Sequence, residues 1–116
     1  MYKQIKHTIT ASQAAGTTDI LLELGFVPDR IVIRNRANDF SFEWNDSMPS
    51  DEYYQFLADG AQTYEDTAVA TFTVVDGSDK TNNVSTSFGI VITGNIANLS
   101  DAEEILDIYV YREDGV

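Results

Sequence analysis

The sequence predicts an all-β protein, either a single-domain antiparallel β-sandwich or a jelly-roll-like barrel. Apolar and polar residues alternate along most segments, as they do in strands that bury one face. Short clusters of Gly, Pro, Asn and Asp separate these segments and predict turns. No long helical period lies between them, so about seven short strands are expected to pack as two sheets or as a small barrel.

The first two predicted strands occupy residues 5–11 and 17–24, where apolar residues recur at every second position. Gly25 and Pro28 follow the second strand. Gly allows unusual φ angles, whereas Pro fixes φ and has no N–H to donate to a neighbouring strand. We therefore expect a corner between this strand and the next.

Two further strands are predicted at residues 31–34 and 40–44, joined by a hairpin turn at Asn38-Asp39. β-branched residues dominate the first of these strands, and aromatic residues alternate in the second. The alternating aromatic residues are expected to form the core face of their strand, and they are Phe40, Phe42 and Trp44.

Residues 45–60 have the weakest strand pattern. Ser50 is a suitable N-cap, and acidic residues follow it, as is favourable in the first turn of a helix. Tyr53, Phe56 and Leu57 have the i, i+3, i+4 spacing of an apolar helical stripe. The segment is predicted to form either a short helix near residues 50–58 or a loop held by its aromatic side chains.

Three more strands are predicted at residues 68–75, 86–93 and 105–112, with an exposed polar loop over residues 76–83. The last strand carries its aliphatic residues at alternate positions. Its two tyrosines, Tyr109 and Tyr111, fall on the opposite face and are expected to point outward or toward a neighbouring subunit. They are therefore interface candidates.

Length and charge limit the possible functions. The 116 residues are expected to form one domain, residues 1–116. Nineteen acidic and seven basic residues give a net charge of −12, and the basic residues are scattered along the sequence. Such a charge disfavours nucleic-acid binding, which needs clustered cations. The absence of a long apolar run predicts a soluble, unexported chain that binds no membrane.

No residue pattern predicts catalysis, a metal site or a cofactor. His7 is the only histidine and there are no cysteines, so a zinc site would lack its usual ligands. Residues 76–80 resemble part of a calcium loop, but Lys80 stands where an oxygen ligand is required. No Gly-x-Ser-x-Gly nucleophile motif is present. The sequence therefore predicts a protein that is not an enzyme.

The aromatic residues suggest one alternative function. A carbohydrate-binding β-sandwich module stacks sugars on exposed aromatic rings, and Trp44 or the tyrosines would supply such a platform here. This interpretation requires Trp44 to be exposed. Because Trp44 belongs to an alternating strand pattern, we favour a place for it in the core.

A set of short motifs runs in order along most of the chain. It comprises Ile9-Thr10-Ala11, the stretch at residues 22–33 that contains Gly25 and Pro28, Asn35, Phe42-Glu43-Trp44, Met48-Pro49, and the strand segments 88–92 and 108–112. Together these motifs resemble a type of small structural protein from tailed-phage virions, the head-decoration (cement) proteins.

The resemblance implies a non-enzymatic protein that binds the outer surface of the major capsid protein lattice and stabilises the head. It implies a place on the capsid exterior of the virion after assembly in the host cytoplasm, and a homo-oligomer, with a trimer favoured. A tail or baseplate component is the alternative. The candidate residues for a capsid or subunit interface are Tyr2, Lys3 and Lys6 near the N-terminus, with Tyr109 and Tyr111.

Overall fold

Nine β-strands and no helix are present in the residues that the structure, a computed structural model, describes. These residues are 2–10, 20–66, 71–75, 88–92 and 104–113, with the backbone alone described for residues 2–10, 75 and 113. The strands are β1 Tyr2–Thr10, β2 Ile20–Glu23, β3 Arg30–Asn35, β4 Ser41–Asn45, β5 Glu52–Phe56, β6 Gln62–Asp66, β7 Phe72–Val75, β8 Gly89–Ile92 and β9 Ile105–Glu113.

The strands form two antiparallel sheets. The larger sheet has six strands in the order β1-β9-β3-β4-β5-β6, and the smaller has three in the order β2-β8-β7. Every neighbouring pair in both sheets is antiparallel. The two sheets pack face to face around one core, which confirms the prediction of an all-β antiparallel sandwich.

The core forms between the two sheets from the alternating residues of each strand. Phe72 of β7 links the sheets, because its ring stacks on Trp44 at 5.9 Å and meets the edge of Tyr53 at 6.0 Å. Burying an aliphatic or aromatic side chain of this size contributes about 1.5–3 kcal/mol relative to leaving it exposed. The remaining core residues are Leu22, Phe26, Ile31, Ile33, Phe42, Ile90, Ile92, Leu106, Ile108 and Val110.

The predicted corner between β2 and β3 is confirmed. Gly25 has φ +79°, a conformation that favours glycine, and Pro28 is buried. The corner is tied to the last strand of the sheet, since Asp29 N–H donates to the carbonyl of Tyr111 and the Arg112 guanidinium donates to the carbonyl of Val27. These bonds fix the direction in which β3 enters the large sheet.

The predicted hairpin turn between β3 and β4 is also confirmed. Asp39 has φ +60°, which Asp tolerates better than most residues. Asn35 is buried, and its side-chain oxygen accepts the N–H of Ala37 at 2.7 Å. Asn38 in turn accepts the N–H of Phe40 at 2.9 Å. Two Asx-type contacts therefore hold this turn closed.

The alternative of a short helix or a loop near residues 50–58 is wrong. Residues 52–56 form β5, which pairs with β4 on one side and β6 on the other. Tyr53 and Gln55 are buried at every second position, so strand pairing overrides the local helical spacing. Ser50 caps no helix. Its carbonyl accepts the N–H groups of Thr71 and Phe72, which joins the two sheets.

β6 has no counterpart among the predicted strands. Its residues are almost all exposed, because only one of its edges is paired among the described residues and the small sheet does not cover it. A strand without a buried face gives no alternation of apolar and polar residues. The predicted loop over residues 76–83, including Lys80, lies outside the described residues.

Gly89 permits a close approach of β8 to β2. A Cβ built on it would lie 1.9 Å from the carbonyl oxygen of Leu22. We expect Gly89→Ala to lower the free energy of unfolding by about 1–3 kcal/mol, as overpacking of a buried site does. Glu23→Ala is the control, because Glu23 pairs with Gly89 but is exposed. Urea denaturation measures both, and equal stabilities of the two variants would contradict the prediction.

Candidate functional site

The outward side of the six-stranded sheet is the candidate functional site. We call it the outer face. Its residues alternate with the buried ones along each strand, and the small sheet packs on the opposite side. The members with described side chains are Arg30, Val32, Arg34, Ser41, Glu43, Asn45, Glu52, Tyr54, Phe56, Gln62, Tyr64, Asp66, Ile105, Asp107, Tyr109 and Tyr111.

A row of paired residues crosses the outer face from β9 to β6. It runs Tyr109, Val32, Glu43, Tyr54 and Tyr64, each the register partner of the next. Three of these five residues are tyrosines, whose flat amphipathic rings are enriched at protein interfaces. Tyr64 ends the row and is 49% exposed. We call this set the tyrosine row.

Arg30 of β3 contacts side chains of both neighbouring strands, β4 and β9, on the outer face. Its guanidinium lies 2.7 Å from the carboxylate of Glu43 and 5.0 Å from the ring centre of Tyr111. At exposed sites an ion pair contributes about 0–1 kcal/mol and a cation–π contact about 0.5–1 kcal/mol. These contacts contribute little to the free energy of unfolding. Their effect is to hold the rings and charges of the face in one arrangement.

Arg36 and Asp107 form a bidentate pair at the end of β3. The two guanidinium–carboxylate distances are 2.7 and 2.9 Å, and Asp107 is buried beneath the arginine. The hydrogen bond and the charge of Asp107 raise the pKa of Arg36 above its ordinary value. Burial of a carboxylate without a partner would be costly, so Arg36 neutralises Asp107 where the sheet meets the turn.

Tyr64 is held by Glu52 of the neighbouring strand. Its ring meets Tyr54 edge-on at 4.9 Å, and its hydroxyl is hydrogen-bonded to Glu52. That hydrogen bond, with smaller contributions from desolvation and nearby negative charge, raises the pKa of Tyr64 to about 12. Tyr64 therefore stays a neutral donor at physiological pH.

Several of the basic residues gather on this face. Arg30 and Arg34 lie four residues apart on β3, and Arg36 follows in the turn. Lys6 pairs with Tyr109 in the backbone register of β1 and β9. Although the basic residues are scattered along the sequence, the i, i+4 spacing of Arg30 and Arg34 in one strand places both on the same face. Among the described side chains, three arginines of this acidic chain thus lie close together at β3 and its turn.

The five predicted interface residues meet at the β1–β9 ladder. Tyr109 and Tyr111 lie on the outer face, as expected, but both are half-buried. The register places Lys6 opposite Tyr109, Lys3 opposite Arg112 and Tyr2 opposite Glu113. β1 is an edge strand of the described sheet. The interface role of these residues stays a prediction, and the sequence analysis missed Arg30, Tyr54 and Tyr64.

Trp44 is not part of any exposed platform. It is 4% exposed, its ring stacks on Phe72, and its indole N–H donates to the carbonyl of Pro49 at 3.2 Å. Its place in the core agrees with the alternating pattern of its strand. A sugar-binding platform built on Trp44 is therefore disfavoured.

The described residues form neither a metal-binding cluster nor a membrane-spanning helix. No group of three His, Cys, Asp or Glu residues in the described ranges is arranged to hold a metal ion. Within the same ranges, no helix has the length and apolar character needed to cross a membrane.

Comparisons with known proteins were made at three levels. No protein-family model, no curated protein and no solved structure matches the chain.

The raised pKa of Tyr64 predicts a distinct titration. The absorbance of phenolate at 295 nm should include an increment from Tyr64 with a midpoint near pH 12, above the ordinary value of about 10. That increment should be missing in Tyr64→Phe. Because the folded pKa is raised, the stabilisation from the hydrogen bond is complete below about pH 10 and is lost as the pH rises to about 12. Tyr111→Phe is the control, because Tyr111 lies on β9 at the other side of the face, and an unchanged high-pH increment in Tyr64→Phe would contradict the assignment.

The burial of Trp44 predicts a blue-shifted fluorescence emission and weak quenching by iodide. The measurement is unambiguous because the chain has one tryptophan. Free N-acetyltryptophanamide is the reference for full exposure. Addition of simple sugars should leave the emission unchanged, and strong iodide quenching or a saturable sugar response would contradict the core position.

Proposed function

We propose that this chain is a non-enzymatic head-decoration (cement) protein of a phage virion, which binds the outer surface of the major capsid protein lattice through its outer face. The observation that carries the proposal is the tyrosine row with its neighbouring arginines, on a sheet face that the described part of the chain leaves uncovered. The resemblance of the sequence motifs to phage virion proteins supplies the identity of the partner.

The composition of the face suits protein binding. Interfaces are enriched in tyrosine and arginine and depleted in lysine and aliphatic residues, and Tyr54, Tyr64, Tyr109, Arg30 and Arg34 fit that pattern. Contacts such as Arg30 with Glu43 restrain these side chains before binding. Less side-chain entropy is then lost when the partner binds.

The size of the face favours repeated attachment. Six strands spaced at about 4.8 Å, each contributing about five residues, give a flat area on the order of 400 Å². Stable pairwise interfaces bury roughly 800 Å² on each partner. A single copy would bind weakly, whereas a trimer on a repeating lattice would bind through several faces at once. The size of the face thus supports the proposed homo-oligomer.

The charge distribution favours a partner surface with exposed carboxylates. The chain as a whole is acidic, and its described cations are concentrated on β3 and the following turn. The exposed Arg34 on this otherwise acidic chain offers such a partner a local point of attraction. The acidic remainder opposes attachment in other orientations. The proposed location is the capsid exterior of the virion, after assembly in the host cytoplasm.

The proposal is tested by binding to expanded heads that lack decoration proteins. The chain should sediment with such heads and raise the temperature at which they open. Tyr64→Ser should weaken binding at least tenfold, since removing an interface anchor costs about 1.4 kcal/mol or more. Leu21→Ser is the matched control, because Leu21 is similarly exposed, at 46% against 49%, on the small sheet.

Three results would count against the proposed function or against the outer face as its interface. Absence of binding to heads would exclude head decoration. Loss of binding in Leu21→Ser with retention in Tyr64→Ser would place the interface on the other sheet. Antibody labelling of intact virions on the tail, with bare heads, would indicate a tail or baseplate component.

A further inference from the structure

A cleft of about 570 Å³ opens at one end of the outer face. It lies between the β3–β4 turn and the turn that joins β5 to β6. Phe40, Phe56 and Leu57 form an apolar wall, and Arg34 and Tyr109 also line the cleft. The cleft therefore combines an apolar surface with a cationic group.

The wall formed by the β5–β6 turn is rigidly built. Leu57 N–H donates to the carbonyl of Ala61 at 2.8 Å, and Gly60 N–H donates back to the carbonyl of Leu57 at 3.0 Å. Asp59 accepts the N–H of Ala61 at 2.9 Å. Gly60 has φ +90°, which a side chain would disfavour. The shape of the cleft is thus largely fixed before any ligand enters.

Arg34 is the arginine of the cleft that no carboxylate engages among the described residues. It lies opposite Asp107 in the sheet register, but Asp107 is bound in bidentate fashion by Arg36. Within the described part of the chain, the Arg34 side chain forms no hydrogen bond or ion pair and is exposed. A guanidinium has five N–H donors in a planar fork that matches a carboxylate.

We propose that the cleft binds a carboxylate on an apolar stem, as an acidic side chain or chain terminus of a partner peptide presents it. Arg34 binds the carboxylate, and Phe56 and Leu57 pack on the stem. A singly charged group fits better than a phosphate, because Asp39 and Asp107 also line the cleft and the whole chain is strongly acidic. The inference rests on the proposed function in one respect, which is that the peptide would belong to the partner bound by the outer face.

The experiment uses 3-phenylpropionate as the probe and the full chain without heads. Amide chemical shifts are followed by NMR at low ionic strength. We expect saturable shifts at Leu57, Gly60 and Tyr109, with a dissociation constant on the order of 1 mM for so small a ligand. The uncharged analogue 3-phenylpropionamide should bind at least tenfold more weakly, because it has no charge for Arg34 to bind.

Variants separate Arg34 from the general charge of the face. Arg34→Gln should weaken binding of 3-phenylpropionate at least tenfold. Arg30→Gln removes the same charge from the same strand outside the cleft and should change the dissociation constant less than twofold. The dispersion of the NMR spectrum shows whether each variant is folded.

The outcomes distinguish this inference from the proposed function. Equal binding of the acid and the amide, shifts that do not saturate, or full binding by a folded Arg34→Gln variant would overturn the cleft assignment even if heads are bound. An Arg34-dependent titration in a chain that fails to bind heads would overturn head decoration and leave the carboxylate site in place.

Discussion

The register of β9 between β1 and β3 is the constraint on which the rest of the structure depends. β9 pairs over six positions with β3 and over nine with β1. Its alternation places Leu106, Ile108 and Val110 in the core and the two tyrosines outside. Because side chains in a strand alternate with period two, a slip of one residue would bury the tyrosines and expose the aliphatic residues. The same pairing therefore determines the core and the outer face together.

The electrostatics of the face follow from that register. Pairing with β9 sets Arg34 opposite Asp107 and Arg30 opposite Tyr111. Arg36 then reaches Asp107 from the turn and leaves Arg34 available at the mouth of the cleft. In a chain of net charge −12, strand pairing thus determines which arginines of β3 and its turn are neutralised by carboxylates distant in sequence.

The sequence predicts most of the fold but only part of the site. Alternation identifies the strands that bury one face, and the Gly25, Pro28 and Asp39 turns follow from backbone chemistry. β5 could not be predicted, because Tyr53, Phe56 and Leu57 also have the spacing of a helical stripe. Only the pairing with β4 and β6 favours the strand. The tyrosine row could not be predicted from the sequence either. Its members come from five strands, and no local pattern reports which residues pair across a sheet.

An exposed aromatic face is a hazard for most proteins, since it invites aggregation. Here the aromatic residues are mainly tyrosines, whose hydroxyls remain hydrated or bonded, as Tyr64 is to Glu52. The net charge of −12 opposes non-specific aggregation. At the open edge of the described sheet, Glu65 and Asp66 place two negative charges on β6, and charged side chains on an edge strand disfavour its pairing with another chain.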